Sequence, residues 1–282
     1  MNSRKSTTSV QQRQMSPYTR GPKRAEHISL VLTLLKKTQS RSTSELFDKC
    51  TTEEWKRICY ITNYHEIIRC AIELYTKELL DLQRVDMYKY VLNLYSTTPV
   101  DRKQQLEIKT IFYNNNIDTK KFCTDLITVL RKSDYKINGL KLYGNPDTCK
   151  SLIGNCIVAP FVCCYMNNHG SENEFFISNM LNKSIVLCEE LFVTPATAED
   201  FKSILGGQNI DISKKYNEKQ LMCRTPIIIT SNYKQFGRGH LPSLDESALD
   251  NRCFTYYFHT AYKPNVKITC DQFYLFVLHN MY

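Results

Sequence analysis

An apolar run, Leu140-Lys141-Leu142-Tyr143, leads straight into Gly144-Asn145-Pro146-Asp147-Thr148-Cys149-Lys150-Ser151. The octapeptide meets the G-x-x-x-x-G-K-[ST] phosphate-loop pattern at every fixed position but one, where Cys149 stands in place of glycine. A loop of this kind wraps backbone N–H groups around phosphate at a helix N-terminus, so it calls for a strand before it and a helix after it. In that arrangement Lys150 faces the β- and γ-phosphates of a nucleoside triphosphate and the Ser151 hydroxyl faces Mg²⁺. The same residues also read as a plain turn set by Asn145-Pro146.

Two later segments bear on the choice. Ser184-Ile185-Val186-Leu187-Cys188 is an apolar strand that ends in paired carboxylates, Glu189 and Glu190. At a nucleotide-hydrolysing site one such carboxylate holds hydrated Mg²⁺ and its neighbour orients or deprotonates the attacking water. A solvated strand end is the bland alternative. Thr225-Pro226-Ile227-Ile228-Ile229-Thr230-Ser231-Asn232 is a second β-branched run with a polar tip, where Asn232 is placed to sense a γ-phosphate. Between them, Phe201 to Gln208 reads as a helix ending at Gly206-Gly207, followed by a hairpin or loop that carries Lys214, Lys215 and Lys219.

The order of these parts resembles the helicase domain of parvovirus-type replication initiator proteins, the superfamily 3 helicases of small DNA viruses. Leu205-Gly206-Gly207 followed by Thr225 to Asn232 carries most of the likeness, which covers about residues 105–282. Ala248-Leu249-Asp250-Asn251-Arg252-Cys253-Phe254 looks like that family's arginine-finger segment, and Cys270 to Leu278 like its closing helix. The resemblance implies an α/β fold, an AAA+-like P-loop core after a helical bundle. It implies ATP and Mg²⁺, with residues 144–151 on the nucleotide, Ser151 and Glu189 serving the metal, Glu190 positioning water, Asn232 as sensor and Arg252 reaching a neighbouring subunit. A homo-oligomeric ring, hexameric by analogy, follows from that finger. Lys215, with Lys214 beside it, would meet the backbone of single-stranded or partly duplex DNA, an ordinary solvated lysine cluster being the lesser alternative. Asp211 stands where the family tends to carry a basic residue, and Cys149 is the larger departure, expected to strain the loop or, at a helix N-terminus, to become a redox-sensitive thiol. The implied function is an ATP-dependent DNA helicase of viral genome replication acting in the host cell nucleus. A catalytically weak DNA-binding and oligomerisation module, regulating transcription or packaging, is the alternative.

Composition fits this frame. With 282 residues, 42% hydrophobic and a net charge of +9, the chain can bury a sizeable core and suits an anionic partner. Arg4, Lys5, Arg13, Arg20, Lys23 and Arg24 face no acidic residue in the first 24 positions, which read as a disordered basic tail over 1–26. A helical domain is expected over 27–134, with apolar positions at Ile58, Ile61, His65, Ile68, Ile72 and Tyr75 and again at Phe122, Leu126, Val129 and Leu130. Trp55, Tyr88, Tyr90 and Tyr95 are expected to pack between helices, and Thr51 to Glu54 and Asn116 to Thr119 read as helix starts. The ATPase core is expected over 135–262 and a closing helical segment over 263–282. The twelve cysteines form no C-x-x-C pair and read as reduced core thiols of an intracellular protein. No secretory leader is evident, and no apolar run approaches the ~18 residues of a membrane span, so no membrane association is expected. Full-length parvovirus initiators carry an upstream nuclease with a His-x-His pair; none of the six histidines forms one, so the chain reads as a motor without that module.

Overall fold

The computed structural model describes residues 22–167, 177–214 and 217–281, and the chain divides into two compact units, residues 1–76 and 77–282. Residues 1–21 of the expected tail lie outside the described residues, whereas its last residues are helical, because α1 (Pro22–Thr38) begins at Pro22. Proline suits a first helical turn, where its missing N–H would have no partner.

In the first unit, α1 is followed by α2 (Thr43–Lys49), α3 (Thr52–Cys59) and the start of α4 (Tyr64–Val85). Helix α3 starts where the sequence places a cap. The Thr51 hydroxyl accepts the Glu54 N–H at 3.3 Å, and the Glu54 carboxylate accepts the Thr51 N–H at 3.0 Å. Val31, Leu35, Leu46, Ile58, Ile68 and Ala71 are buried. His65 is exposed, so the apolar stripe of α4 runs through Ile67, Ile68 and Ala71 instead.

In the second unit α4 ends and is followed by α5 (Met87–Tyr95), α6 (Arg102–Asn114), α7 (Thr119–Arg131), β1 (Gly139–Gly144), α8 (Lys150–Val158), β2 (Cys163–Asn167), β3 (Ile185–Glu189), α9 (Ala198–Leu205), β4 (Ile210–Lys214), β5 (Asn217–Met222), β6 (Ile227–Ser231), α10 (Ser243–Asp250), β7 (Cys253–Phe258) and α11 (Cys270–His279). The sheet runs β2-β3-β6-β1-β7 with every neighbouring pair parallel. Strands β4 and β5 form a separate antiparallel hairpin.

Parallel strands covered on both faces must be apolar on both, which is why Ile227-Ile228-Ile229 is a continuous run. Alternate residues feed two cores. Leu140, Leu142, Leu187 and Ile228 pack with α5, α6, α7, α8 and α11, while Val186, Ile227 and Ile229 pack with α9 and the hairpin. Each fully buried branched side chain contributes about 1.5–3 kcal/mol against conformational entropy. Tyr90 and Tyr95, expected to pack between the bundle helices, sit instead against Phe161 and Tyr274 and join the bundle to this core. Because β1, β3 and β6 run the same way, their carboxyl ends open on one edge, where the loops after them converge. Among the described residues no helix is long and apolar enough to cross a membrane.

Candidate nucleotide site

Strand β1 ends at Gly144 with φ +137°. A Cβ there would lie 1.9 Å from the Phe258 carbonyl oxygen, so only glycine fits where the chain turns off the sheet. The loop is then latched to the end of β7: Asn145 N donates to Phe258 O at 2.9 Å, and its side-chain amide donates to His259 O at 2.9 Å. Asp147 and Cys149 both take left-handed backbone, φ +58° and +68°, before α8 starts at Lys150. This alternation turns successive N–H groups to one side and makes an anion-binding concavity at the helix N-terminus. The Lys150 ammonium, buried in the loop, donates to the Asn145 carbonyl and, at 3.2 Å, to the Thr148 hydroxyl. Burial lowers its pKa from the ordinary lysine value, partly offset by Glu190 and Asp147.

Cys149 therefore keeps the glycine conformation with a side chain attached, at a cost of about 1–2 kcal/mol. Its thiol donates to the Tyr262 carbonyl at 3.0 Å, and Tyr262 N donates to Asp147 O at 2.9 Å. The segment 261–264 is thereby clamped over the loop, and the Tyr262 hydroxyl is held in turn by the Glu107 carboxylate. Burial, then the Glu107 charge, raises the Cys149 pKa. Burial, the Glu107 charge and the hydrogen bond that the thiol donates all favour the protonated form, against the acidified, redox-sensitive thiol expected at a helix N-terminus.

A cavity of about 740 Å³ opens above the loop, lined by Pro146 to Leu152, Glu190, Thr230 to Asn232 and Ala261 to Pro264. Ser151 stands exposed at the start of α8 and lines it. Glu190 leaves β3 in a left-handed turn, φ +52°, which swings its carboxylate toward the tip of β6. There it accepts the Asn232 N–H at 3.0 Å and the Ser231 hydroxyl at 3.4 Å. Glu189, the last residue of β3, lies opposite Thr230, shares the pleat face of Ile185 and Leu187, and is exposed beside the cavity without lining it.

Arg252 is not brought to this cavity. It precedes β7 at the amino edge of the sheet, where its carbonyl accepts Gly139 N at 3.1 Å and its guanidinium donates to the Ala248 carbonyl. Strand β7 is six residues long, so at ~3.3 Å per residue Arg252 stands about 20 Å from the loop edge. Lys214 closes β4, but its side chain and the whole of Lys215 lie outside the described residues.

Sequence reasoning missed three participants. Arg238 donates to the Glu190 carbonyl at 3.0 Å, lies 3.6 Å from its carboxylate and stacks over Tyr233 at 4.1 Å. Lys141 is buried in β1, with its ammonium 3.6 Å from the Phe236 ring centre and 3.2 Å from Asp250 Oδ1. Tyr262 closes the loop. Only Lys141 left a signal, a lone charge inside an apolar strand.

A family model described as parvovirus non-structural protein NS1 matches residues 49–235. The initiator protein NS1 of Bombyx mori densovirus is 25% identical over 145 residues, 50% of this chain and 15% of the densovirus protein. Protein Rep52 of adeno-associated virus 2 is 28% identical over 141 residues, 49% of this chain and 35% of Rep52. The chain thus spans a minor part of the curated relatives it matches. Among solved structures, JCV helicase with a bound small molecule aligns with TM-score 0.58 at 12% identity, covering 82% of this chain and 77% of that one. That likeness shows a shared α/β architecture. With two thirds of its length inside the family model, the chain belongs to the parvovirus non-structural protein NS1 family.

Proposed function

We propose that this chain is an ATP-driven DNA helicase of viral replication whose complete site forms between two copies. One observation carries the reading. A single cavity gathers the phosphate-type loop, the Lys150 ammonium, Ser151, Glu190 and Asn232, while Arg252 stands at the other end of the sheet, out of reach of its own loop. Within this reading Lys150 leaves the Asn145 carbonyl for the β- and γ-phosphates, and Asn232 reports on the γ-phosphate. Glu190, already oriented by Asn232 N and Arg238, holds the attacking water. The Ser151 hydroxyl and the Glu189 carboxylate suit Mg²⁺, which takes few protein oxygens and keeps its waters. Bound there, the metal would neutralise charge on the phosphates. Arg252 of a neighbouring copy would stabilise charge on the phosphoryl group, an effect on the order of 10³ in rate. The hairpin carrying Lys214 and Lys215 is the proposed contact to the DNA backbone.

A second reading rests on Cys149. With a side chain where backbone should approach phosphate, and with Lys150 bonded back to its own loop, the chain would be a DNA-binding and oligomerisation module with little turnover.

ATP hydrolysis and strand displacement, measured with wild-type protein, Lys150→Ala, Arg252→Ala and an equimolar mixture of the two variants, test the proposal. Loss in each variant with partial recovery in the mixture supports a shared site. DNA binding with no turnover in wild type supports the second reading.

A further inference from the structure

A second cavity, about 410 Å³, opens at the amino edge of the sheet, away from the Gly144 loop. Its walls come from the end of α4, the end of α7, the approach to β3 and the segment that joins β5 to β6. Four cations line it: Arg84, Lys132, Lys183 and Arg224. Among the described residues the ion pairs of this unit are made by other side chains.

Neutral groups order these walls. Gln83 is fully buried next to Arg84, and its carbonyl accepts Val162 N at 3.0 Å and the Ser184 hydroxyl at 2.5 Å, which fixes Lys183 beside α4. The Arg224 guanidinium donates to Ile137 O at 2.7 Å and to Oδ1 of the buried Asn138 at 3.2 Å. Both acceptors are uncharged, so Arg224 is oriented without being neutralised. Asp134 acts on Arg224, but its Oδ1 already accepts Lys136 N and Ile137 N at 2.7 Å each.

Lys132 caps α7 in left-handed backbone, φ +55°, a position where glycine or asparagine costs less. Its amine adds a further positive charge to a half-buried cluster. Burial first, then the Arg224 and Arg84 charges, lower the Lys132 pKa. Asn209 also lines the cavity; its Oδ1 accepts Arg224 N at 3.2 Å, leaving its amide N–H₂ to donate.

We propose that this cavity is a second anion site, distinct from the loop at Gly144, that takes phosphate oxyanions from a nucleic-acid strand or from a free polyphosphate. Four cationic side chains and the Asn209 amide around a half-enclosed volume suit tetrahedral oxyanions, and such contacts are charge-driven and blind to base sequence. The inference does not depend on ATP hydrolysis.

The test uses the whole chain carrying Lys150→Ala, which removes the first loop as a phosphate binder. Binding of a fluorescein-labelled oligothymidylate is read by anisotropy across a salt series, and binding of inorganic pyrophosphate by calorimetry. Two sets of substitutions are compared with the parent: Lys132→Gly, and Arg84→Gln with Lys183→Gln. Lys132→Gly removes one charge while giving the left-handed position its preferred residue, so its melting temperature should hold or rise. The double substitution should weaken binding roughly tenfold or more and flatten the slope of log affinity on log salt by about 1.4, two contacts at ~0.7 each for a single strand. Loss for the oligothymidylate alone identifies a strand backbone; loss that includes pyrophosphate identifies free polyphosphate. Affinities of folded Lys132→Gly for both probes within twofold of the parent overturn the proposal.

Discussion

The Cys149 thiol and the Tyr262 carbonyl, 113 positions apart in sequence, are joined by a 3.0 Å hydrogen bond that closes the segment 261–264 over the phosphate-type loop. A residue that strains its own backbone at φ +68° thus also makes a contact no glycine could.

Replacing Cys149 separates those two effects. Cys149→Gly relieves about 1–2 kcal/mol of left-handed strain but gives up a hydrogen bond of about 1 kcal/mol and adds unfolded-chain entropy of about 0.5–1 kcal/mol. The melting temperature should hardly move, while a fluorescent ATP analogue binds more tightly. Cys149→Ala keeps the strain and loses the bond, so it should be destabilised by about 1 kcal/mol. Weaker nucleotide binding by Cys149→Gly would show that the thiol clamp helps the site.

The same burial makes a chemical prediction. Because desolvation and Glu107 raise the Cys149 pKa, the group is a thiol at neutral pH. Brief maleimide treatment at pH 7 should label the exposed Cys59 and Cys223 first and leave Cys149 largely unmodified, as read by peptide mass spectrometry. Equal labelling of all three would contradict this account of the loop.

In the first unit, Glu54 joins the start of α3 to Lys37 of α1 at 2.7 Å. That bond, together with the Thr51 N–H, holds the Glu54 pKa at about 2 against an ordinary 4.5. A carboxylate whose folded pKa is depressed stabilises the fold above its unfolded value and loses that contribution as pH falls through the folded one. The urea midpoint should therefore drop between pH 4.5 and 2, and Glu54→Gln should flatten that dependence. A variant that tracks wild type through this window would dismiss the pair.

Lys141 is buried, but its partner Asp250 has a side chain 42% exposed. In Lys141→Met the stem still packs over Phe236 and Asp250 returns to water, so the stability cost should stay within about 1.5 kcal/mol. Lys141→Ala leaves a cavity and should cost about 2–5 kcal/mol. Both variants free the Lys234 carbonyl that follows Asn232. Under the proposed function, turnover in Lys141→Met should fall further than its melting temperature suggests.

How much of this was legible in the chain depends on distance along it. The strand–loop–helix at 139–158, the Thr51 cap, the helix ending at Gly206 and the apolar run at 227–229 are each set by residues a few positions apart. Local sterics and pairing patterns decide such elements, so the sequence by itself determined them; the α/β class came with the family resemblance that their order carries. Tertiary structure alone decided that Cys149 would meet Tyr262, that Arg238 would hold Glu190, that Arg252 would stand a sheet's length from its own loop, and that Arg84, Lys132, Lys183 and Arg224 would share one cavity. The strand order β2-β3-β6-β1-β7 brings those positions together. Side-chain packing across the two faces of the sheet selects that order, and no local preference of the backbone records it.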